Sequence, residues 1–138
     1  MTEGAFLLDT CALLFIATGK ALVPETEQLL EKASATNSIL VSPISAWELG
    51  KLVARGRLHL TTGPLRLFED FLSRQGTTLC DVTPEILIGA SFLPEMKHKD
   101  PMDQILISTA RTLNVPLVTS DQIILNYGRE GHVKTIAC

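Results

Sequence analysis

Five short runs rich in Val, Ile, Leu and Thr, at about 5–8, 38–42, 77–81, 116–119 and 133–136, alternate with stretches of helical periodicity. Strands that alternate with helices build a mostly parallel sheet covered on both faces, so the fold class is α/β. The helical patterns fall at about 11–17, 24–35, 46–54, 64–74, 84–92 and 101–113, with a short helical turn after Asp121. Pro24, Pro64 and Pro84 open three of them, at a position that needs no backbone N–H. Thr83 is placed to cap the helix behind Pro84. The helix over 101–113 stops at Asn114, ahead of Pro116. No internal repeat, low-complexity segment or linker interrupts the 138 residues, and residues 1–138 read as a single domain. Arg55-Gly56-Arg57 and the stretch from Leu93 to Lys99 read as the mobile loops.

Acidic motifs stand where these strands end or helices begin. Asp9-Thr10 follows Ala5-Phe6-Leu7-Leu8, and Ser45-Ala46-Trp47-Glu48 follows Ile39-Leu40-Val41. Asp100-Pro101-Met102-Asp103 opens the helix over 101–113, and Thr119-Ser120-Asp121 follows Pro116-Leu117-Val118. Ligands of open α/β sheets bind beyond the carboxyl ends of the strands, so Asp9, Glu48, Asp103 and Asp121 are expected at one edge of the sheet. Two ionised carboxylates ~4 Å apart repel by roughly 4 kcal/mol at an effective dielectric of 20, and further acids multiply the cost. Such a cluster takes up protons or a cation. An all-oxygen set without His or Cys suits Mg2+ or Mn2+ rather than Zn2+, and that chemistry suits phosphodiester hydrolysis.

Each acid also has a local role. Ser45-x-x-Glu48 has the form of a capping box, Asp100 that of an N-cap with Asp103 near the positive helix end, and Asp9 and Asp121 can cap the helices they precede. For one acid alone the local role explains its place at least as well. For all four it does so poorly, because caps need not share an edge of a sheet.

Net charge is −3, which lacks the overall basic footprint of a bulk nucleic-acid binder, although a carboxylate-rich centre itself lowers the charge. Cys11, Cys80 and Cys138 are odd in number and show no CxxC spacing, which argues against a disulfide framework or thiolate metal site and fits a reducing cytoplasm. The longest apolar stretch, Cys11 to Ala17, is far too short to cross a membrane. Glu3 stands where a signal peptide would carry Lys or Arg. Apolar residues make up 46% of the chain and mean hydropathy is +0.25, so part of the apolar surface is expected under another chain.

The motifs together carry a resemblance. Leu-Leu-Asp-Thr at 7–10, Ser-Ala-Trp-Glu at 45–48, Asp-Pro-Met-Asp-Gln-Ile-Leu-Ile at 100–107 and Leu-Val-Thr-Ser-Asp at 117–121 resemble the PIN-domain ribonucleases, most of all the VapC-type toxins of bacterial toxin–antitoxin pairs. Each motif is weak alone; the ordered set, spanning essentially the whole chain, is specific. The resemblance implies a PIN-like three-layer α/β/α sandwich, Mg2+- or Mn2+-dependent endoribonuclease activity, dimerisation and inhibition by a small antitoxin. It places the family's acidic quartet on Asp9, Glu48, Asp103 and Asp121, and an additional acid of this subgroup on Asp100.

Around the quartet, Thr10 and Thr119 are candidates to hold carboxylates or waters, with ordinary strand and turn threonines an equal alternative. Glu48, Lys51, Leu52 and Arg55 share a helix face, which makes Lys51 and Arg55 candidate contacts to RNA phosphates. A solvated basic face or a simple Glu48–Lys51 pair is the slightly favoured alternative. Lys97-His98-Lys99 reads as a solvated loop in preference to a phosphate guide, and His98 as general base is the weaker reading. Trp47, with Leu49 and Val53, reads as core or interface rather than a base-stacking platform.

Other classes fit less well. A haloacid-dehalogenase-type phosphatase needs a second Asp where Cys11 stands, and a phospho-acceptor receiver domain needs an acidic pair at the first strand end and a Lys at a late one, which Asp9-Thr10 and the Thr119-Ser120-Asp121 turn do not supply. The remaining alternative is a catalytically silent PIN-like module that binds RNA or protein; loss of a quartet acid would mark it, and all four are present.

Overall fold

The computed structural model describes residues 4–138; the leader reading that turns on Glu3 lies outside them. Five strands, β1 (Phe6–Leu8), β2 (Ile39–Val41), β3 (Thr77–Leu79), β4 (Leu117–Thr119) and β5 (Thr135–Ala137), form one sheet in the order β3-β2-β1-β4-β5. Every pairing is parallel. Seven helices connect the strands: α1 (Thr10–Ala17), α2 (Pro24–Ser34), α3 (Ile44–Ala54), α4 (Pro64–Leu72), α5 (Pro84–Ser91), α6 (Pro101–Leu113) and α7 (Gln122–Arg129).

Strand side chains alternate between two cores, as the period of two requires. Phe6 and Leu8 of β1 pack with Leu13, Leu30, Leu49 and Phe71 of α1 to α4, while Leu7 packs with Leu106, Ile107, Ile124 and Tyr127 of α6 and α7. On β4, Leu117 joins the second cluster and Val118 the first. Helices therefore cover both faces of the sheet, giving the three-layer α/β/α sandwich.

The order of the strands decides where the acids meet. From β1 the chain winds outward through β2 and β3, then returns to place β4 on the other side of β1. The connections leave β1 and β4 in opposite directions, and between their carboxyl ends opens the crevice where ligands of such sheets bind. Asp9 follows β1 directly, and Ser120 and Asp121 follow β4.

Prolines open α2, α4, α5 and α6, and Thr83 caps α5 by accepting the Ile86 N–H. Asn114 ends α6 in the left-handed region at φ 55°. The close seat of α5 on α6, which carries Asp103, depends on Gly89: a Cβ there would come within 2.9 Å of Ser108 Oγ, which itself donates to the Ile86 carbonyl at 2.6 Å.

Two local expectations change. The stretch after Asp121 is an eight-residue helix rather than a single turn. Helix α3 begins at Ile44, so Ser45 lies inside it and no Ser45–Glu48 capping box forms. Pro43 is the N-cap, and Ser42 just ahead of it accepts the Ile44 N–H on its Oγ at 3.1 Å.

Candidate metal centre

Three of the acids are caps and members of the cluster at once. Asp9 is buried at the start of α1, its Oδ1 accepting the Ala12 N–H at 2.7 Å and its Oδ2 the Thr119 hydroxyl at 2.5 Å. Asp121 starts α7, where its Oδ1 accepts the N–H groups of Ile123 and Ile124. Asp100 caps α6 by accepting the Met102 N–H at 2.9 Å. A cap must sit where a helix begins, and in this sheet three helices begin at the carboxyl edge, so local and collective roles coincide.

Threonines tie the acids together. Thr119 Oγ1 donates to Asp9 and accepts the Asp121 N–H at 3.0 Å, linking the ends of β1 and β4 across the crevice. Thr10 Oγ1 donates to Glu48 Oε1 at 2.5 Å and lies 3.0 Å from Ser45 Oγ, which pins α3 against the start of α1. Thr10 and Thr119 are both buried, so these hydroxyls have few competitors from solvent.

The carboxyls feel their crowding. Burial pushes the Asp9 carboxyl up to about 6, against the hydrogen bonds from Thr119 and Ala12 and with added repulsion from Glu48 and Asp121. Asp103 rises to about 7, chiefly by burial; Asp100 and Glu48 raise it further while His98 opposes. Burial also raises Glu48, with the Thr10 hydrogen bond opposing. The Cys11 thiol reaches about 12 by burial and by the fields of Asp9, Glu48, Asp103 and Asp121. All four acids, from four segments of the chain, thus stand near one thiol.

Among the described residues, two sets of side chains present donor atoms within 4.8 Å of one another: Glu48, Asp100 and Asp103, and His98, Asp103 and Asp121. Asp103 belongs to both. Asp9 belongs to neither and stands beside them, each of its oxygens holding one hydrogen bond and keeping a further lone pair. Convergent carboxylates with raised affinity for protons are the donor chemistry that a hard divalent cation satisfies, so the residues fit such an ion.

His98 corrects the sequence reading. It is not solvated: its side chain is 15% exposed, and its Nε2 lies 2.6 Å from Asp103 Oδ2 and 4.0 Å from Asp121 Oδ2. The segment it occupies is held at two points, by Gln104 Nε2 donating to the His98 carbonyl and Tyr127 donating to the Pro94 carbonyl. Lys51 and Arg55 line a cleft of about 100 Å3 with Glu48 and Asp100, and Arg57, not singled out from the sequence, joins them. Leu49 is core as expected, but Trp47 is half exposed, with the Lys51 ammonium 4.9 Å over its ring.

The sequence model of the PIN domain matches residues 6–130. The chain belongs to the PIN domain family. Every segment that supplies an acid falls within the matched PIN region. No curated protein sequence matches the chain. Among solved structures, one chain of VapBC2 from Rickettsia felis bound to a DNA fragment from their promoter aligns with a TM-score of 0.71 and 18% identity, over 96% of this chain and 98% of that one. A chain of DNA-bound VapBC from Salmonella typhimurium aligns with a TM-score of 0.70 and 17% identity, over 96% and 97%. At such identities the likeness is one of fold, and it extends over nearly the whole PIN domain.

Proposed function

We propose that this PIN domain is a divalent-metal-dependent endoribonuclease, the toxin of a toxin–antitoxin pair of the VapC type. The observation that carries the reading is the meeting of carboxylates from four separate segments at the crevice between β1 and β4. Asp9, Glu48, Asp103 and Asp121 are the proposed catalytic and metal-holding set, with Asp100, Thr10 and Thr119 in support. When bound, Mg2+ or Mn2+ neutralises these acids and supplies Lewis-acid activation for hydrolysis of an RNA phosphodiester.

The chain's own residues do the positioning. Thr119 and the Ala12 N–H fix the Asp9 carboxylate, and Thr10 fixes Glu48, so both acids are oriented before any ion arrives. Lys51, Arg55 and Arg57, beside Glu48 and Asp100, hold backbone phosphates of the RNA strand entering the crevice. Cys11 stays a neutral thiol and adds no charge to the acidic edge.

Asp9→Asn, Glu48→Gln, Asp103→Asn and Asp121→Asn are each expected to lower divalent-dependent RNA cleavage by two or more orders of magnitude while circular dichroism stays native. Near wild-type cleavage by Asp9→Asn or Asp103→Asn would remove the assignment. The intact acidic set favours this reading over a silent binding module, which should bind little Mn2+.

The VapBC neighbours support an antitoxin partner, and the apolar composition a homodimer; free thiols and the absence, among the described residues, of a helix long and apolar enough to cross a membrane fit a cytoplasmic setting. An acidic crevice is a natural seat for an Arg or Lys of an inhibitory antitoxin segment. The purified toxin should scatter light as a dimer at micromolar concentration, and its RNase activity should vanish on adding the cognate antitoxin. A strict monomer would refute the dimer, and an active complex the inhibition.

A further inference from the structure

We infer that His98 is itself a ligand of the bound cation, giving the site one nitrogen donor and shifting its preference from Mg2+ toward first-row transition ions such as Mn2+. The inference rests on the metal-dependent reading above and goes beyond it, because that reading uses oxygen donors alone.

From Met96 to Asp100 the side chains alternate, with Lys97 and Lys99 exposed and Met96, His98 and Asp100 turned toward the protein. That is the period of an extended segment, and it delivers His98 and Asp100 to the same side. Gln104, on the first turns of α6, grips the His98 carbonyl at 2.7 Å and sets the distance between the imidazole and Asp103. The ring is 15% exposed, so the segment holds it in the crevice rather than in solvent.

Its orientation separates two roles. A histidine that only steadied Asp103 needs no second acid beside its nitrogen. Here Nε2 faces Asp103 Oδ2 at 2.6 Å and Asp121 Oδ2 at 4.0 Å, and all three donor atoms fall within 4.8 Å of one another. In an octahedral shell with bonds of about 2.1 Å, neighbouring donors stand about 3 Å apart and opposite ones about 4.2 Å. The 4.0 Å separation lies within that range, and the 2.6 Å His98–Asp103 hydrogen bond would open by a few tenths of an ångström to become a pair of neighbouring donors. The other donor set, Glu48, Asp100 and Asp103, contains only oxygen. Carboxylate and water suit Mg2+ and Mn2+ alike, but as a transition ion Mn2+ accepts an imidazole nitrogen more readily than Mg2+ does, so the nitrogen tilts the choice of ion at the His98 end.

The experiment uses the full chain, freed of metal and reloaded with Mn2+. Pulsed electron paramagnetic resonance of the Mn2+-loaded wild type is expected to show nitrogen-14 coupling from a directly bound imidazole, lost in His98→Ala. Mn2+ titration should show affinity falling roughly tenfold or more in His98→Ala, while Mg2+ affinity, read by competition, changes less than about threefold. Mn2+ bound by the wild type without nitrogen coupling overturns the inference and leaves the metal-dependent reading standing, as does an equal loss of Mn2+ and Mg2+ affinity in the variant. A wild type that binds neither ion overturns both. The spectroscopic arm needs only the wild type, so a poorly folded variant does not remove the test.

Discussion

Asp9 and Asp103 hold their protons more tightly than an ordinary aspartate, and the consequence is a stability that depends on pH with an unusual sign. Their carboxyls sit at about 6 and about 7, against 3.8 for the unperturbed group, because burial penalises the charged form. Between those values the folded chain binds more protons than the unfolded one, so raising the pH through that window removes stability instead of adding it. The Asp9 shift alone corresponds to roughly 3 kcal/mol across the window. In EDTA the wild type is expected to melt higher at pH 5 than at pH 8, and Asp9→Asn should flatten the slope. Equal or higher melting at pH 8 in the wild type would contradict the cause assigned to the shifts. At this scale the four acids were legible because each stands just past an apolar run or in the first turns of a helix. His98 was not, because its flanking lysines made the tripeptide look solvated. The usable signal was the alternation from Met96 to Asp100, a two-residue period too short to stand out without the strand or helix that normally frames it.

Helix α6 shows how one element serves stability and site together. Asp100 caps it while also standing in a donor set with Glu48 and Asp103. Asn caps as well as Asp, whereas Ala cannot accept the Met102 N–H. Asp100→Asn should therefore leave the melting temperature nearly unchanged and lower cleavage less than Asp103→Asn does, while Asp100→Ala should cost about 1 kcal/mol of stability besides. Thermal melts and cleavage rates on the same preparations check both halves; an Asp100→Asn protein as inactive as Asp103→Asn would promote Asp100 to the essential set. Elements like α6 were readable because proline at the first turn and Asn114 at the end are local signals. The start of α3 was not, because Ser45-x-x-Glu48 has the form of a capping box and only tertiary packing places Ser45 inside the helix. Ser45 turns inward onto Thr10, and the Ile44 N–H goes to the Ser42 hydroxyl.

For the whole molecule, the alternation of strands and helices implied a parallel sheet covered on both faces, but the order β3-β2-β1-β4-β5 is a property of crossovers that no local pattern encodes. That order is what sets Asp9 and Asp121 on either side of one crevice, so the convergence of acids expected from the motifs finds its geometric cause only in the assembled sheet. The same convergence makes the folded state a cation receptor that the unfolded chain is not, since unfolding scatters the acids along 138 residues. A ligand bound only by the native state stabilises it by mass action, by roughly 3 kcal/mol at a hundredfold excess over its Kd, or on the order of 10 °C in Tm for a chain of this size. Mg2+ or Mn2+ should thus raise melting of the wild type at pH 8, where the carboxyls are ionised, and raise it little at pH 5, where protons compete for the same oxygens. In a double Asp9→Asn, Asp103→Asn variant the metal-free protein should melt higher than metal-free wild type at pH 8 and gain almost nothing from the ion. If both proteins respond to Mg2+ and Mn2+ alike, the cation is acting on general surface charge and the assembled acids are not its site.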